Sequence, residues 1–470
     1  MKRFPASVLL FKDTRKTDSL RRGIASRFLA VWRRASAAFA LLALPAAMVA
    51  ETKLLENFTL IDGNGGPAVS NAALLVVDGR IRYAGPKSGV KAPAGAERLD
   101  LAGKFVMPGI INLHGHLGNT VGLVQDPKNF TLENLNKHLG TYAKYGVTSM
   151  VSMGSDQEPV FDVRMKQRTG RDPRTRIFTA YRGFTGVAGY PTKAPGMKGV
   201  PFEVGTAAEV AAGMKILVEK KADFVKIWVD DHLGKEPKIS IDLCKLIIAG
   251  GQQHGLRTAA HIFYLDDAKK LVDSGLYGLA HSVRDKPVDD ELIQAMKKRG
   301  AWQIATLTRE ASMFAYAKPA PFLDDPFFAG SLDAATLQTL RTPAFQKKQA
   351  DDHETHLWPG FLKTAQANLK KLYDSGVKIG FGTDTGPPAR FSGFFEHWEM
   401  ELMAEAGLTP AQIIQTFSKN AAEFLGKSND LGTLTKGHWA DLVVLSKNPL
   451  ENIKNTRSIE TVWIAGLKAN

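Results

Sequence analysis

Two histidines one residue apart close the run V-M-P-G-I-I-N-L-H-G-H, at His114 and His116. On an extended strand residues i and i+2 share a face, so both imidazoles can turn toward one point. A divalent cation asks for that convergence of neutral nitrogens. H-x-H alone is common by chance, so the other ligands matter. In order along the chain come Lys226 in A-D-F-V-K-I-W-V, His261 ending R-T-A-A-H, His281 ending Y-G-L-A-H, and Asp384 in V-K-I-G-F-G-T-D-T-G. Each stands at or near the end of a short apolar run and precedes polar or turn-forming residues. A (β/α)8 barrel places its chemistry in this way, at the C-terminal ends of its strands.

This order of H-x-H, Lys, His, His, Asp resembles the amidohydrolase superfamily, and in wording its imidazolonepropionase-like and prolidase-like branch. The tail is similar to the same branch in E-L-M-A-E-A-G-L-T-P-A-Q-I-I, N-A-A-E-F-L-G and L-G-T-L-T-K-G-H-W-A-D-L-V-V-L, so the likeness runs over residues 52–470. It implies a binuclear centre. His114, His116 and Asp384 would hold one ion, and His261 and His281 the other. Lys226 would bridge them as a carbamate, because a free ammonium repels cations. The alternative is a single metal beside an ordinary pocket lysine. The donor set suits zinc, with manganese, iron or cobalt as substitutes. The implied reaction is hydrolysis of a C–N bond by a metal-activated hydroxide, with Asp384 moving the proton.

The elements that must position these residues are legible as alternating strand and helix patterns. Strands are expected at 110–114, 147–152, 176–180, 222–229, 256–261, 277–281, 301–306 and 377–383. Helices are expected at 134–145, 207–220, 240–254, 265–274, 289–299, 361–375, 394–406 and 409–425. The expected fold is an α/β (β/α)8 barrel over 108–425. Residues 51–107 and 426–470 are β-rich and would join as a small β-sandwich, with D-G-R at 78–80 marking a hairpin. The connection 307–360, with Phe314, Tyr316, Phe322, Phe327 and Phe328, is too long for an ordinary βα loop. It reads either as a lid or pocket wall, or as a helical insertion with its own small core.

Composition narrows the function. Residues 1–50 carry ten of the Lys/Arg and two of the Asp/Glu, so the net charge of +14 falls to +6 over the remainder. No basic-aromatic stripe points to nucleic acid. That leader joins a basic stretch ending at Arg33-Arg34 to an Ala/Leu-rich run from Ala35 to Ala47, with Ala50 as a cleavage point. The expectation is an exported protein, periplasmic or secreted, whose apolar run is too short for a stable span. The lone Cys244 excludes an internal disulfide and sits in a helical pattern as a buried thiol.

Substrate signals are Arg182, Tyr190, Arg309 and Arg390, in loops after the third, seventh and eighth strands, where an Arg can grip a carboxylate in bidentate fashion. With the insertion's aromatics they point to a small amide with a carboxylate and an apolar part, a dipeptide or N-acyl amino acid. A cyclic amide of imidazolonepropionase type, a lactone or ester, and a non-catalytic binding relative stand as alternatives. A homo-oligomer is left open. The bland readings place His138, His232, His254, His353, His356, His397 and His438 in packing or solvated faces.

Overall fold

A computed structural model describes residues 51–469; the expected leader lies outside the described residues. All eight expected strands are present. They are β1 (Ile110–Gly115), β2 (Val147–Ser152), β3 (Arg176–Thr179), β4 (Phe224–Trp228), β5 (Arg257–His261), β6 (Gly278–Ala280), β7 (Trp302–Ile304) and β8 (Lys378–Gly380). Every residue of β1, β2 and β4 is buried. Strands covered on both faces read as continuous apolar runs, as these do. Pairing is parallel in the orders β3-β2-β1 and β4-β5-β6-β7-β8. The Asp223 amide donates to Thr179 O at 2.8 Å between β3 and β4. The Leu113 amide donates to Phe381 O at 2.8 Å, joining β1 to the chain leaving β8. The result is a parallel, barrel-like α/β sheet.

The inward faces of these strands supply Ile111, Leu113, Val151, Phe178, Phe224, Ala259, Ala280, Trp302 and Ile304, one buried cluster with Ala421, Phe424 and Leu425 from the helix Lys419–Leu425. Phe424 stacks on Phe224 at 5.4 Å and meets Trp302 edge-on at 5.8 Å. An aromatic plug therefore fills the interior below the strand ends that carry the histidines.

Helices cover the outer face and begin where capping residues allow. Thr206 and Glu209 form a capping box, and the Ser240 and Asp289 side chains each accept an amide of the first turn. The expected helix 409–425 breaks at Ser418 into Pro410–Phe417 and Lys419–Leu425. One helix between β2 and β3, Pro159–Thr169, escaped the sequence reading. It buries only Val160, Val163 and Arg164, so it shows little apolar periodicity. The insertion folds as further short helices, from Leu307–Ala315 to Pro343–Ala350.

Both chain ends meet in one eight-stranded sheet. Leu442–Leu445 pairs antiparallel with Phe105–Pro108, which runs parallel to Thr52–Leu60. The expected hairpin turns at Asp78 and Gly79, with φ of 50° and 77°, the left-handed pair that a two-residue turn of this kind requires. Phe105–Pro108 leads directly into β1, so this sheet fixes where the first histidine-bearing strand begins.

Phe424→Ala removes a fully buried ring from the plug. It is expected to cost about 3–5 kcal/mol of stability, read by denaturant unfolding.

Candidate active site

The six sequence-identified residues meet at the C-terminal edge of the sheet. His116 Nε2 lies 2.9 Å from Asp384 Oδ1, and His114 Nε2 lies 3.3 Å from the same oxygen. Lys226 Nζ approaches His114 Nε2 at 3.3 Å. The rings of His114 and His281 are 4.5 Å apart, and those of His261 and His281 4.3 Å. His114, His281 and Asp384 each offer a ligand atom within 4.8 Å of the others, a His-His-Asp triad able to hold a metal ion.

Local backbone aims these groups. His281, Thr306 and Asp384 have φ of 92°, 54° and 60°, a left-handed region that costs energy for non-glycine residues. Such strain turns a side chain out of the strand's regular alternation and toward the centre. Three histidines have one ring nitrogen held by a residue outside the six. His116 Nδ1 is 2.8 Å from Ser155 Oγ, His281 Nδ1 is 2.6 Å from Thr306 Oγ1, and His261 Nε2 is 2.6 Å from Asp230 Oδ2. Partners of this kind fix ring orientation and leave the other nitrogen for a ligand. The fourth, His114, is fully buried, and its Nδ1 has no hydrogen-bond partner.

Burial decides the charges. It holds His114 and His261 down at about 3 and His281 well below its usual value, so all three are neutral donors. It also pulls the Lys226 ammonium down to about 7. For Asp384 burial works the other way, yet the Arg390 guanidinium and the hydrogen bonds to His114 and His116 outweigh it and keep the carboxyl well below its ordinary range. Neutral imidazoles, a carboxylate and an amine depleted of its proton form a donor set that fits a divalent cation.

A profile of the amidohydrolase family matches residues 105–468. The chain belongs to that family. Ochratoxinase of Aspergillus niger is 25% identical over 449 residues, spanning 87% of this chain and 84% of its own. Imidazolonepropionase of Deinococcus radiodurans is 24% identical over 424 residues, spanning 85% and 92%. A crystal structure of a Xaa-Pro dipeptidase with methionine in its active site has a TM-score of 0.71 at 20% identity, covering 89% of this chain and 99% of that one, a likeness of fold. The protein is an amidohydrolase-family hydrolase, from a family whose members depend on metal.

Within this amidohydrolase the four residues read as substrate contacts have different surroundings. Arg182 is engaged by its own loop, donating to the carbonyls of Gly199, Val200 and Pro201 and lying 4.5 Å over Phe202. Arg390 is paired with Asp384. Tyr190 is packed 5.0 Å from the His261 ring. Arg309 is buried over Trp358 at 4.6 Å, 3.2 Å from Glu310, with its Nε unpartnered. The insertion's Tyr316, Phe322, Phe327 and Phe328 do not wall this site. They pack against Phe394, Phe395 and Trp398 as a separate small core, which is the helical-insertion reading. His138 and His397 are spent on packing: His138 accepts the Gly118 amide and meets Thr120 O, and His397 meets Thr456 Oγ1 and Tyr145 O.

Sequence reasoning passed over Asp230, Ser155 and Thr306. All three leave strand ends on the same edge as the histidines, and that placement was the available signal. Beside Ser155, the buried Asp156 accepts from Ser152 Oγ at 2.5 Å and from Thr179 Oγ1. Burial pushes its carboxyl from 3.8 up to about 7. The folded state thus binds this proton more tightly than the unfolded state does, and stability is lost as pH rises through that interval. Asp156→Asn is expected to remove this loss. Its stability relative to the parent should rise between pH 4 and pH 7 and then level off, as measured by urea unfolding at each pH.

Proposed function

We propose that the protein hydrolyses the C–N bond of a small carboxylate-bearing amide, a dipeptide or an N-acyl amino acid, at a binuclear metal centre. The observation that carries this reading is the meeting of His114, His116, His261, His281, Asp384 and the buried Lys226 at one strand edge. His114, His116 and Asp384 would hold one ion and His261 and His281 the other, with Lys226 as a bridging carbamate and zinc as the metal. Such ions supply Lewis-acid polarisation of a carbonyl and an acidified water.

The chain's own residues do the rest. Asp384 takes the proton released in attack on the carbonyl carbon and delivers it to the departing nitrogen. Arg390 holds one carboxylate oxygen of Asp384, leaving the other directed at His114 and His116. Tyr190, packed against His261, stands within electrostatic reach of Arg309 and Arg390. Arg309, whose Nε has no partner, would anchor the substrate carboxylate. The Xaa-Pro dipeptidase likeness supports the same substrate class.

The scaffold we infer for this chemistry is a closed (β/α)8 barrel over 108–425 with a β-sandwich of 51–107 and 426–470. The hydrogen bonds between β1 and the chain after β8 support closure. Buried clusters on both faces of the terminal sheet, around Phe58 and Trp463 and around Leu54 and Leu75, support the sandwich. Residues 1–50 are proposed as an export signal on their basic-then-apolar order. No helix among the described residues is long and apolar enough to cross a membrane.

Elemental analysis with native mass spectrometry of the intact protein tests the centre. Two zinc ions per chain and the mass of one added CO2 are expected; one metal with no added CO2 would replace the binuclear reading with a mononuclear one. Asp384→Asn is expected to lower kcat by about 10²- to 10⁴-fold on a dipeptide or N-acyl amino acid substrate while most metal stays bound. Near-parental turnover would remove Asp384 from proton transfer.

A further inference from the structure

Behind the metal-ligating face lies a buried polar knot that the reaction as described does not use. Its centre is Glu396, fully buried on the helix Phe394–Glu405. Three donors converge on its Oε1: Asn112 Nδ2 at 2.8 Å, Thr383 Oγ1 at 2.9 Å and Thr385 Oγ1 at 2.9 Å. The Gly393 amide donates to Oε2 at 2.5 Å. The donors have positions in common: Thr383 and Thr385 flank Asp384, and Asn112 is two residues before His114. Asn112 also accepts the His114 amide on Oδ1 at 2.9 Å and donates to Thr383 Oγ1 at 2.8 Å. Tyr142 OH closes the knot 2.6 Å from Thr385 Oγ1.

We propose that Glu396 is a positioning residue for the His114–Asp384 pair, holding the first and last strand ends in register from behind so that both side chains face one cation. This rests on the metal-centre reading above. The geometry makes the demand specific. Asp384 sits at φ 60°, a backbone state that persists only where its surroundings over-determine it. The hydroxyls of both its neighbours end on one oxygen of Glu396. A carboxylate accepts and never donates when ionised, so four donors can be met at once. A glutamine in its place would turn an N–H₂ toward the Gly393 amide or toward Asn112 Nδ2, donor against donor.

The same helix carries a built-in control. Glu399 is equally buried, but grips the Leu307 and Thr308 amides at 2.8 and 2.7 Å, at the start of the insertion. Loss of either carboxylate should lower thermal stability. Loss of Glu399 reaches the site through Thr306 and His281, whereas only loss of Glu396 should act on His114.

The experiment titrates Zn²⁺ into metal-stripped intact protein and, in the same metal-free samples, records the ring ¹⁵N resonances of His114 and His261. Glu396→Gln is expected to weaken Zn²⁺ binding by about ten- to hundredfold, the usual loss when a ligand's support is removed. It should move the His114 resonances and leave those of His261, whose partner is Asp230. Glu399→Gln is expected to leave the His114 resonances at their parental positions. If Glu396→Gln does not fold, Glu396→Asp keeps the charge one methylene short and is expected to show the same pattern in smaller measure. Unmoved His114 resonances, or equal His114 displacements in the Glu396 and Glu399 variants, would overturn the proposal. Absence of Zn²⁺ binding by the parent would sink the metal-centre reading, and the His114 resonances would still decide the role of Glu396.

Discussion

Everything at this site depends on the seam between β1 and the chain leaving β8. Four backbone bonds make it: the Leu113 amide to Phe381 O, the Thr383 and Asp384 amides to His114 O at 3.1 and 2.7 Å, and the His116 amide to Thr385 O at 2.7 Å. The residues joined are nearly the length of the parallel sheet apart in sequence. Without the seam, the H-x-H pair and the aspartate would face different solvent. With it, one carboxylate oxygen meets two imidazoles, and the remaining histidines fall into place from neighbouring strands whose register is set by ordinary parallel pairing.

The seam is also where burial and charge are balanced. Removing histidines from water keeps them neutral, which suits metal binding, but the same burial would neutralise Asp384 if nothing opposed it. Arg390 opposes it. The arrangement therefore uses one low-dielectric setting to hold unlike groups in the states each needs, with the Arg390 guanidinium and the hydrogen bonds to His114 and His116 making the difference between them.

Much of this was legible in the chain. All eight strands, and the six residues gathered at their ends, could be read because apolar runs of buried strands stop abruptly at polar side chains. Other features were not legible. Pro159–Thr169 hides because a helix that buries three residues leaves no periodic trace. Arg390 carried a substrate signal, a loop arginine beside the site, and only three-dimensional packing shows its guanidinium on Asp384. Tyr316, Phe322, Phe327 and Phe328 looked alike as pocket wall or as core, and only their contact with Phe394, Phe395 and Trp398 separates the two. Asn112 and Glu396 read as an isolated polar residue in a strand and a helical glutamate, since a pairing across 284 positions has no local signature.

The Phe424 plug has a consequence for the order of assembly. Its ring comes from the helix Lys419–Leu425, which follows the last of the eight strands, yet it packs on Phe224 and Trp302 from strands far earlier in the chain. The interior beneath the site is therefore completed only once this late segment has docked, and a chain lacking it would leave both rings uncovered.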